Sequence, residues 1–149
     1  MAFLKHFYVL LLPVALIASC GAIKGTVITG TIKGAENMSV FLDNVSFTNP
    51  NNTILTEKIG ADGKYKLSFP DGIKKGLYRL KIGEQQVDLI MDGSEKEVVV
   101  NANLADINQF NYTVTGSKLS EEYLRTVKDY IDKKIDVAGL TAYTSKTAV

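Results

Sequence analysis

The chain has 149 residues, of which 46% are hydrophobic and 22% are charged, and its formal net charge is +1. This balance is typical of one globular domain and excludes a disordered, a collagenous or a strongly basic nucleic-acid-binding chain. When residues 1–19 are removed, one lysine leaves with them, so 16 basic and 16 acidic side chains remain and the net charge is zero. A neutral chain has no electrostatic footprint for nucleic acid.

Residues 1–19 are predicted to be a secretory signal peptide. Lys5 and His6 form a short basic region, and an apolar run from Phe7 to Ile17 follows, broken only by Pro13. As a helix this run would rise about 16 Å, which is too short for a hydrocarbon core of about 30 Å. The pattern therefore favours a signal peptide over a permanent transmembrane anchor.

The end of this segment, Ile17-Ala18-Ser19-Cys20, resembles the lipobox of bacterial lipoproteins, in which an aliphatic residue and two small ones precede the modified cysteine. The resemblance implies cleavage between Ser19 and Cys20, a diacylglyceryl group on the Cys20 sulfur, and a lipidated tether over residues 20–23. Two or more acyl chains give stable anchoring, since each buried CH₂ contributes about 0.8 kcal/mol. The membrane is therefore the first expected partner.

The residues after the cysteine bear on which side of the membrane the protein faces. The chain most resembles lipoproteins of Bacteroidota, where export to the surface is associated with acidic residues shortly after the cysteine. Gly21-Ala22-Ile23-Lys24-Gly25 contains no acid. The resemblance thus implies an outer-membrane lipoprotein that faces the periplasm, with the cell surface as the alternative.

Residues 24–116 are predicted to form an antiparallel β-sandwich. Short β-type runs alternate with turn residues at a spacing of about 8 to 12 residues, as in sandwiches and barrels. Alternation is clearest where Tyr65, Leu67 and Phe69 share one face and Lys64 and Lys66 the other. We expect a Greek-key sandwich of the transthyretin or immunoglobulin type. Its eight strands are expected at residues 24–33, 38–47, 53–59, 64–69, 76–82, 86–91, 95–101 and 110–115.

Asp-Gly pairs indicate where strands turn. Asp62-Gly63 predicts a hairpin, because glycine accepts the positive φ that tight turns require. Pro70-Asp71-Gly72 and Asp92-Gly93 are weaker signals of the same kind.

Residues 117–137 are predicted to form an amphipathic helix, because the apolar period changes from two to about 3.6. Ser117 or Ser120 can cap its start. Residues 138–149, with Gly139 as a stop, are predicted to be a linker or a tail. The apolar face needs a cover, which could be the sandwich, further chain or another protein. That face is formed around Leu124, Val127 and Ile131.

The sequence contains few candidates for catalysis. The single histidine is His6 in the signal segment and the single cysteine is Cys20, so the mature chain has no Ser-His-Asp, Cys-His, histidine-zinc or Cys-x-x-Cys site. Gly-rich phosphate loops are missing from the sequence. Acidic pairs such as Glu95 with Glu97, or Glu121 with Glu122, are expected to be solvated charges. We predict no catalytic residue, no metal ligand and no cofactor site.

Two groups of surface and aromatic residues have alternative interpretations. If strands 64–69 and 76–82 are neighbours, their basic residues gather on one exposed face, either to meet an acidic partner or to prevent pairing between sheets. Those residues are Lys64, Lys66, Arg79 and Lys81. Tyr65, Tyr78 and Tyr112 could stack on a sugar, but each lies on the apolar phase of its strand, so core packing is expected.

Several segments together resemble a domain of unknown function common in Bacteroidota lipoproteins. They are Gly25-Thr26-Val27-Ile28-Thr29-Gly30-Thr31-Ile32, Asp62-Gly63-Lys64-Tyr65, Gly76-Leu77-Tyr78-Arg79-Leu80, Val98-Val99-Val100 and Val114-Thr115-Gly116-Ser117. The resemblance covers about residues 24–137 and implies a β-sandwich between a lipid anchor and a helical segment. In that family a thioredoxin-like domain with Cys-x-x-Cys often follows, and this chain contains no such domain.

Two main hypotheses of function follow, and binding of a glycan or of a small hydrophobic ligand in the sandwich is a third possibility, for which the sequence names no ligand. The first is a lipid-anchored, non-enzymatic interaction or positioning module, with a protein partner or a downstream domain covering the helix face. The alternative is the amino-terminal anchor domain of a membrane-tethered thiol-disulfide oxidoreductase. A Cys-x-x-Cys encoded downstream of Val149 discriminates between the two.

Overall fold

The computed structural model describes residues 25–46 and 52–147, with side chains as far as residue 133. The first four strands are β1 (Thr26–Lys33), β2 (Ser39–Val45), β3 (Asn52–Lys58) and β4 (Lys64–Phe69). They are followed by β5 (Gly76–Ile82), β6 (Gln85–Met91), β7 (Glu97–Asn103) and β8 (Tyr112–Thr115). A 3₁₀ helix (Leu104–Gln109) lies between β7 and β8, and helix α1 is Lys118–Thr147.

The strands form two four-stranded sheets that face each other, with strand orders β4-β1-β7-β8 and β3-β2-β5-β6. The expected β-sandwich followed by a helix is confirmed. The pairs are antiparallel, except that β1 and β7 are parallel. The expected antiparallel sandwich thus contains one parallel pair, and this pair is possible because β1 and β7 are joined through five other strands and no tight turn sets their relative direction.

The core consists of the inward-facing residues of both sheets. In β1, Ile28 and Ile32 are fully buried and the intervening inward position is Gly30. A Cβ on Gly30 would lie 1.9 Å from the carbonyl oxygen of Val100 on β7, so only glycine allows this close approach. The other fully buried apolar residues of the strands are Val40, Leu42, Leu67, Leu80, Ile82, Val87, Leu89, Met91, Val98 and Val100.

The Asp62-Gly63 turn forms but does not make a hairpin. Gly63 has φ 76°, and the Asp62 carboxylate accepts the N–H of Lys64 at 3.1 Å. The turn joins β3 to β4, however, and these strands belong to different sheets. The hairpin prediction is wrong because turn chemistry determines only the local reversal, whereas burial determines which sheet each strand joins. The tightest hairpin is β5-β6, at Gly83 (φ 57°).

Helix α1 begins as predicted and ends later. The Ser117 hydroxyl accepts the N–H of Ser120 at 3.4 Å and acts as the cap. The helix continues to Thr147, so the expected linker over 138–149 is helical as far as it is described. Gly139 lies inside the helix, where glycine costs only about 1 kcal/mol relative to alanine and does not have to end it.

Helix α1 contacts β6 and β8, which are edge strands of the two sheets, and so covers one open side of the sandwich. Leu124 on α1 belongs to the core, while Val127 and Ile131 are half-buried. The sandwich itself therefore provides part of the cover that the apolar face needs.

The start and direction of helix α1 distinguish the two ends of the sandwich. We call the end where β1 begins the near end and the opposite one the far end. Helix α1 starts at the near end, and the Lys128 ammonium reaches the carbonyl oxygen of Tyr112 at the start of β8, at 3.4 Å. The helix therefore runs towards the far end. At 1.5 Å per residue it is about 45 Å long, whereas β1 spans about 26 Å.

Candidate functional site

The predicted lipidation site lies outside the described residues. This holds for the signal peptide 1–19, the cleavage site at Ser19 and Cys20, and the tether 20–23. The first described residue, Gly25, is five positions after Cys20. Five extended residues span at most about 18 Å. A lipid on Cys20 would therefore hold the near end of the sandwich within about 18 Å of the attachment point.

A buried polar cluster joins the loops of the near end. The Thr26 hydroxyl donates to the carbonyl oxygen of Glu95 at 2.7 Å and accepts the N–H of Ile73 at 3.2 Å. The Glu95 carboxylate accepts the N–H groups of Asp92 and Gly93, both at 2.9 Å. These bonds connect the start of β1 with the β4-β5 and β6-β7 loops.

The interpretation of Glu95 as a solvated strand residue is wrong. Its side chain is buried, and β7 starts only at Glu97, which is exposed. The chain turns from one sheet to the other between β6 and β7, and a buried carboxylate there satisfies the backbone N–H groups of the turn. The two glutamates do not form an acidic pair.

The first turn of α1 bonds the free edge of β6. The Ser120 hydroxyl accepts the N–H of Ile90 at 2.8 Å, and its distance from the Ile90 carbonyl oxygen is 3.0 Å. The Ser117 hydroxyl lies 2.8 Å from the same carbonyl oxygen and 3.3 Å from the Glu95 carboxylate. The two serines thus satisfy edge groups that would otherwise be open to pairing with another strand.

The expected basic cluster of β4 and β5 does not form. Lys64 and Lys66 are on β4, whereas Arg79 and Lys81 are on β5 in the other sheet. The expectation required neighbouring strands. The chain instead crosses between the sheets in the β4-β5 loop, so the two pairs of cations lie on separate sheets.

The outer face of the sheet β3-β2-β5-β6 carries an ion-pair row. The Lys81 ammonium lies 2.6 Å from the Asp43 carboxylate, which is fully buried and also accepts the Thr53 hydroxyl at 2.5 Å. Beside this pair, Arg79 donates two hydrogen bonds to Asp88, at 2.7 and 3.2 Å. The basic residues of β5 are therefore committed within the sheet.

The pKa of Asp43 is the net result of opposing effects. Burial disfavours the charged form and would raise the pKa. The hydrogen bonds from Lys81 and Thr53, together with the positive charges of Lys81 and Arg79, outweigh burial and hold the pKa below its ordinary value. Asp43 is thus a buried carboxylate that stays ionised because Lys81 faces it.

A pocket of about 120 Å³ lies where the 3₁₀ helix, β6, β8 and α1 meet. Its lining combines aromatic rings with amide, hydroxyl and carboxylate groups. The lining residues are Gln86, Asp88, Ile107, Asn108, Phe110, Tyr112 and Tyr123. Asp88 is at its wall and is held there by Arg79. The pocket lies towards the far end, since it includes the start of β8 and the first half of β6.

Phe110, in the wall of this pocket, adopts a left-handed backbone conformation, with φ 57° and ψ 23°. This region is uncommon for a bulky residue and costs about 1–2 kcal/mol. The N–H of Phe110 bonds the carbonyl oxygen of Ile107, and the N–H of Asn111 bonds that of Asp106. These bonds end the 3₁₀ helix and hold the Phe110 ring 6.5 Å from that of Tyr112.

The three tyrosines differ in what their hydroxyls do. All three are buried, which confirms the predicted core packing. Tyr65 donates to the carbonyl oxygen of Val100 at 3.3 Å, and Tyr78 donates to that of Lys74 at 2.8 Å. Tyr112 lines the pocket, and its hydroxyl has no hydrogen-bond partner among the described residues. The pKa of Tyr112 is raised to about 12, chiefly by burial and to a smaller extent by the negative charges of Tyr123 and Asp88.

Sequence reasoning did not find this pocket. The 3₁₀ helix was not predicted, and strand 110–115 was expected to begin at the residue that ends that helix. The aromatic pair at Phe110 and Tyr112 was the only local signal. It could not show that Asp88 and Tyr123, from distant parts of the chain, would join it.

Two shallower concavities also lie on the described part of the chain. One, of about 380 Å³, lies on the outer face of the sheet β4-β1-β7-β8, beside Thr29 and Lys66. The other, of about 390 Å³, lies at the far end beside Met38 and Leu104. Within residues 25–46 and 52–147, we find no group of three potential metal-ligating side chains. None of the helices in that same part of the chain has the length and apolar character to cross a membrane.

A comparison with protein-family models finds no model that matches the chain, and a comparison with curated proteins finds no match either.

Proposed function

We propose that the protein is a lipid-anchored, non-enzymatic β-sandwich module that positions a partner at the periplasmic face of the bacterial outer membrane. The observation that supports this most is the relative direction of the two ends of the chain. The lipobox-like Cys20 lies five residues before Gly25 at the near end, whereas α1 runs from the near end towards the far end. With a lipid at one end and a long helix directed to the other, the sandwich would hold a partner at a distance from the membrane.

The rigid attachment of the helix supports the same proposal. A positioning module must transmit the orientation of its anchor to what it carries. The hydrogen bonds of Ser117 and Ser120 to Ile90, and the burial of Leu124, fix the start of α1 to the sandwich. Buried, fully paired polar contacts of this kind favour one arrangement over others.

The near end carries exposed charges of both signs. Four of them are lysines, namely Lys74, Lys75, Lys96 and Lys118. Exposed acids lie at the same end and offset them, namely Asp71, Asp92, Glu97 and Glu121. We therefore assign membrane attachment to the lipid on Cys20 and not to electrostatic attraction.

The partner surface is proposed on α1. Val127 and Ile131 are only half-buried by the sandwich, and Tyr130 is 66% exposed. A protein partner or a downstream domain would cover these residues. A downstream thioredoxin-like domain is the second candidate, because a helix of 30 residues directed away from the anchor also suits a connection to a catalytic domain.

The test is the intact mass of the native protein from the membrane fraction, compared with that of a Cys20→Ser variant. We expect the wild-type mass to equal residues 20–149 plus acyl chains, and the variant to lose the acyl mass and membrane retention. An unlipidated, freely soluble wild-type protein would overturn the proposal. A larger mass with peptides beyond Val149 that include Cys-x-x-Cys would replace the first function by the second.

Cross-linking tests the partner surface. A photo-reactive residue at position 130 on α1 should capture a specific protein, and the same residue at position 66 on β4 serves as the control. Equal cross-linking at both positions would contradict a partner surface on the helix.

A further inference from the structure

We propose that the pocket between the 3₁₀ helix, β6, β8 and α1 binds one neutral pyranose ring of a saccharide. The inference stands on the geometry of the pocket and does not depend on the lipid anchor or on a protein partner.

The size of the pocket fits part of one ring. Its volume is about 120 Å³, which is less than the cavity of about 150 Å³ that holds one benzene molecule. A pyranose with its hydroxyls is larger than benzene, so the pocket would hold one edge of the ring while the rest stays in solvent. A drug-sized ligand needs about 300 Å³ or more, and it would not fit.

The hydrogen-bonding groups of the pocket are uncommitted. The Tyr112 side chain is more than nine-tenths buried and lines the pocket, and among the described residues its hydroxyl bonds no other group. In the same part of the chain, the side chains of Gln86, Asn108 and Tyr123 also bond no other group. The Tyr112 hydroxyl is not sealed from solvent, so it opens into the pocket and can bond a ligand there.

These groups match sugar hydroxyls. Amides and phenols both donate and accept hydrogen bonds, as the hydroxyls of a pyranose do. A charged ligand or an apolar one would use only part of this set. The aromatic side chains Phe110 and Tyr123 provide apolar surface for the C–H groups of the ring.

The charges around the pocket are already balanced, which favours a neutral ligand. Asp88 is the acidic residue of the lining, and Arg79 neutralises it through two hydrogen bonds. Lys128, which is nearby, donates to the carbonyl oxygen of Tyr112. An ionic ligand would have to compete with these contacts.

The strained backbone of Phe110 adds an independent sign of a functional site. Left-handed conformations of bulky residues persist where the surroundings impose them, and they concentrate at ligand sites. Here the strain places the Phe110 ring in the wall of the pocket, beside Tyr112. Glycine, which has no Cβ, would relieve the strain and lose that wall.

The experiment is a binding titration of the full chain in detergent, followed by NMR saturation transfer. The probes are methyl β-glucopyranoside and methyl N-acetyl-β-glucosaminide as neutral rings, glucuronate as a charged ring, and cyclohexanol as a ring with a single hydroxyl. We expect the neutral glycosides to bind in preference to the other two. Preference for glucuronate or cyclohexanol, or no binding of either glycoside, would overturn the proposal.

Tyr112→Phe is the decisive variant, since it removes one hydroxyl and keeps the ring. We expect it to weaken glycoside binding about fivefold to tenfold, the effect of one lost hydrogen bond. Its thermal unfolding should stay at or above that of the wild type, because the hydroxyl has no partner among the described residues. Tyr130→Phe, on exposed α1, is the matched control and should bind like the wild type. Unchanged binding by Tyr112→Phe would overturn the proposal.

Discussion

Replacing Lys81 by methionine removes the cation that faces a fully buried carboxylate. The Lys81 ammonium lies 2.6 Å from Asp43, whose side chain has no exposure, while the Lys81 side chain is one-third exposed. Methionine keeps the length of the stem and removes only the charge. Asp43 would then keep the Thr53 hydroxyl and the nearby Arg79 as partners.

Breaking a buried ion pair by removing one partner costs about 3–5 kcal/mol, and the partial exposure of Lys81 places this case near 3 kcal/mol. A domain of this size is stable by about 5–15 kcal/mol. The melting temperature should therefore fall by roughly 9–15 °C. Chemical denaturation with urea, followed by circular dichroism at pH 7, measures the free energy directly.

The pH dependence provides the sharper test. The pKa of Asp43 in the folded wild-type protein is lowered, so its contribution is present above the unfolded pKa of about 3.9 and is lost as the pH falls through the folded pKa. In the Lys81→Met variant, protonation of Asp43 removes the unpaired buried charge. The difference in stability between the two proteins should thus shrink between pH 7 and pH 4.

Asp43→Asn combined with Lys81→Met separates charge from packing. The double variant contains neither charge and should recover most of the lost stability at pH 7. Lys64→Met is the matched control, since it also removes a lysine paired with an aspartate, but both side chains there are largely exposed. A Lys81→Met variant as stable as the Lys64→Met variant, or equally destabilised at both pH values, would refute the reasoning.

Three further predictions concern the helix, a turn and the core. Ser120→Ala leaves the N–H of Ile90 without its partner, so we expect a loss of about 1–3 kcal/mol and faster hydrogen exchange at the Ile90 amide; unchanged exchange would contradict the role of the serine. Gly116→Ala places a Cβ 2.1 Å from a backbone carbonyl oxygen at φ 86°, and should cost at least about 2 kcal/mol, whereas Gly76→Ala, with 3.6 Å to its nearest atom, is the control and should be tolerated. Because burial raises the pKa of Tyr112 to about 12, stability should fall as the pH rises from about 10 to 12, and Tyr112→Phe should reduce that fall in urea denaturation.

The local structure of this protein could be predicted from local signals. The alternation of Tyr65 and Leu67 with lysines indicated β4, because a strand places successive side chains on opposite faces. The change of period after Gly116 indicated α1, and Ser117 was identified as a possible cap. Such features depend on neighbours within a few residues, so a single sequence contains the information.

The pairing of elements was decided only by the tertiary structure. Asp62-Gly63 forms its turn, yet β3 and β4 join different sheets. The sequence predicts Glu95 on a strand, yet Glu95 lies in a loop, where its buried carboxylate accepts two backbone N–H groups. In both cases the sequence determined the local geometry. Burial against distant residues determined which sheet β3 and β4 join and which N–H groups the Glu95 carboxylate accepts. The pocket shows the same division most clearly, since Asp88, Phe110 and Tyr123 meet only because β6, β8 and α1 pack together.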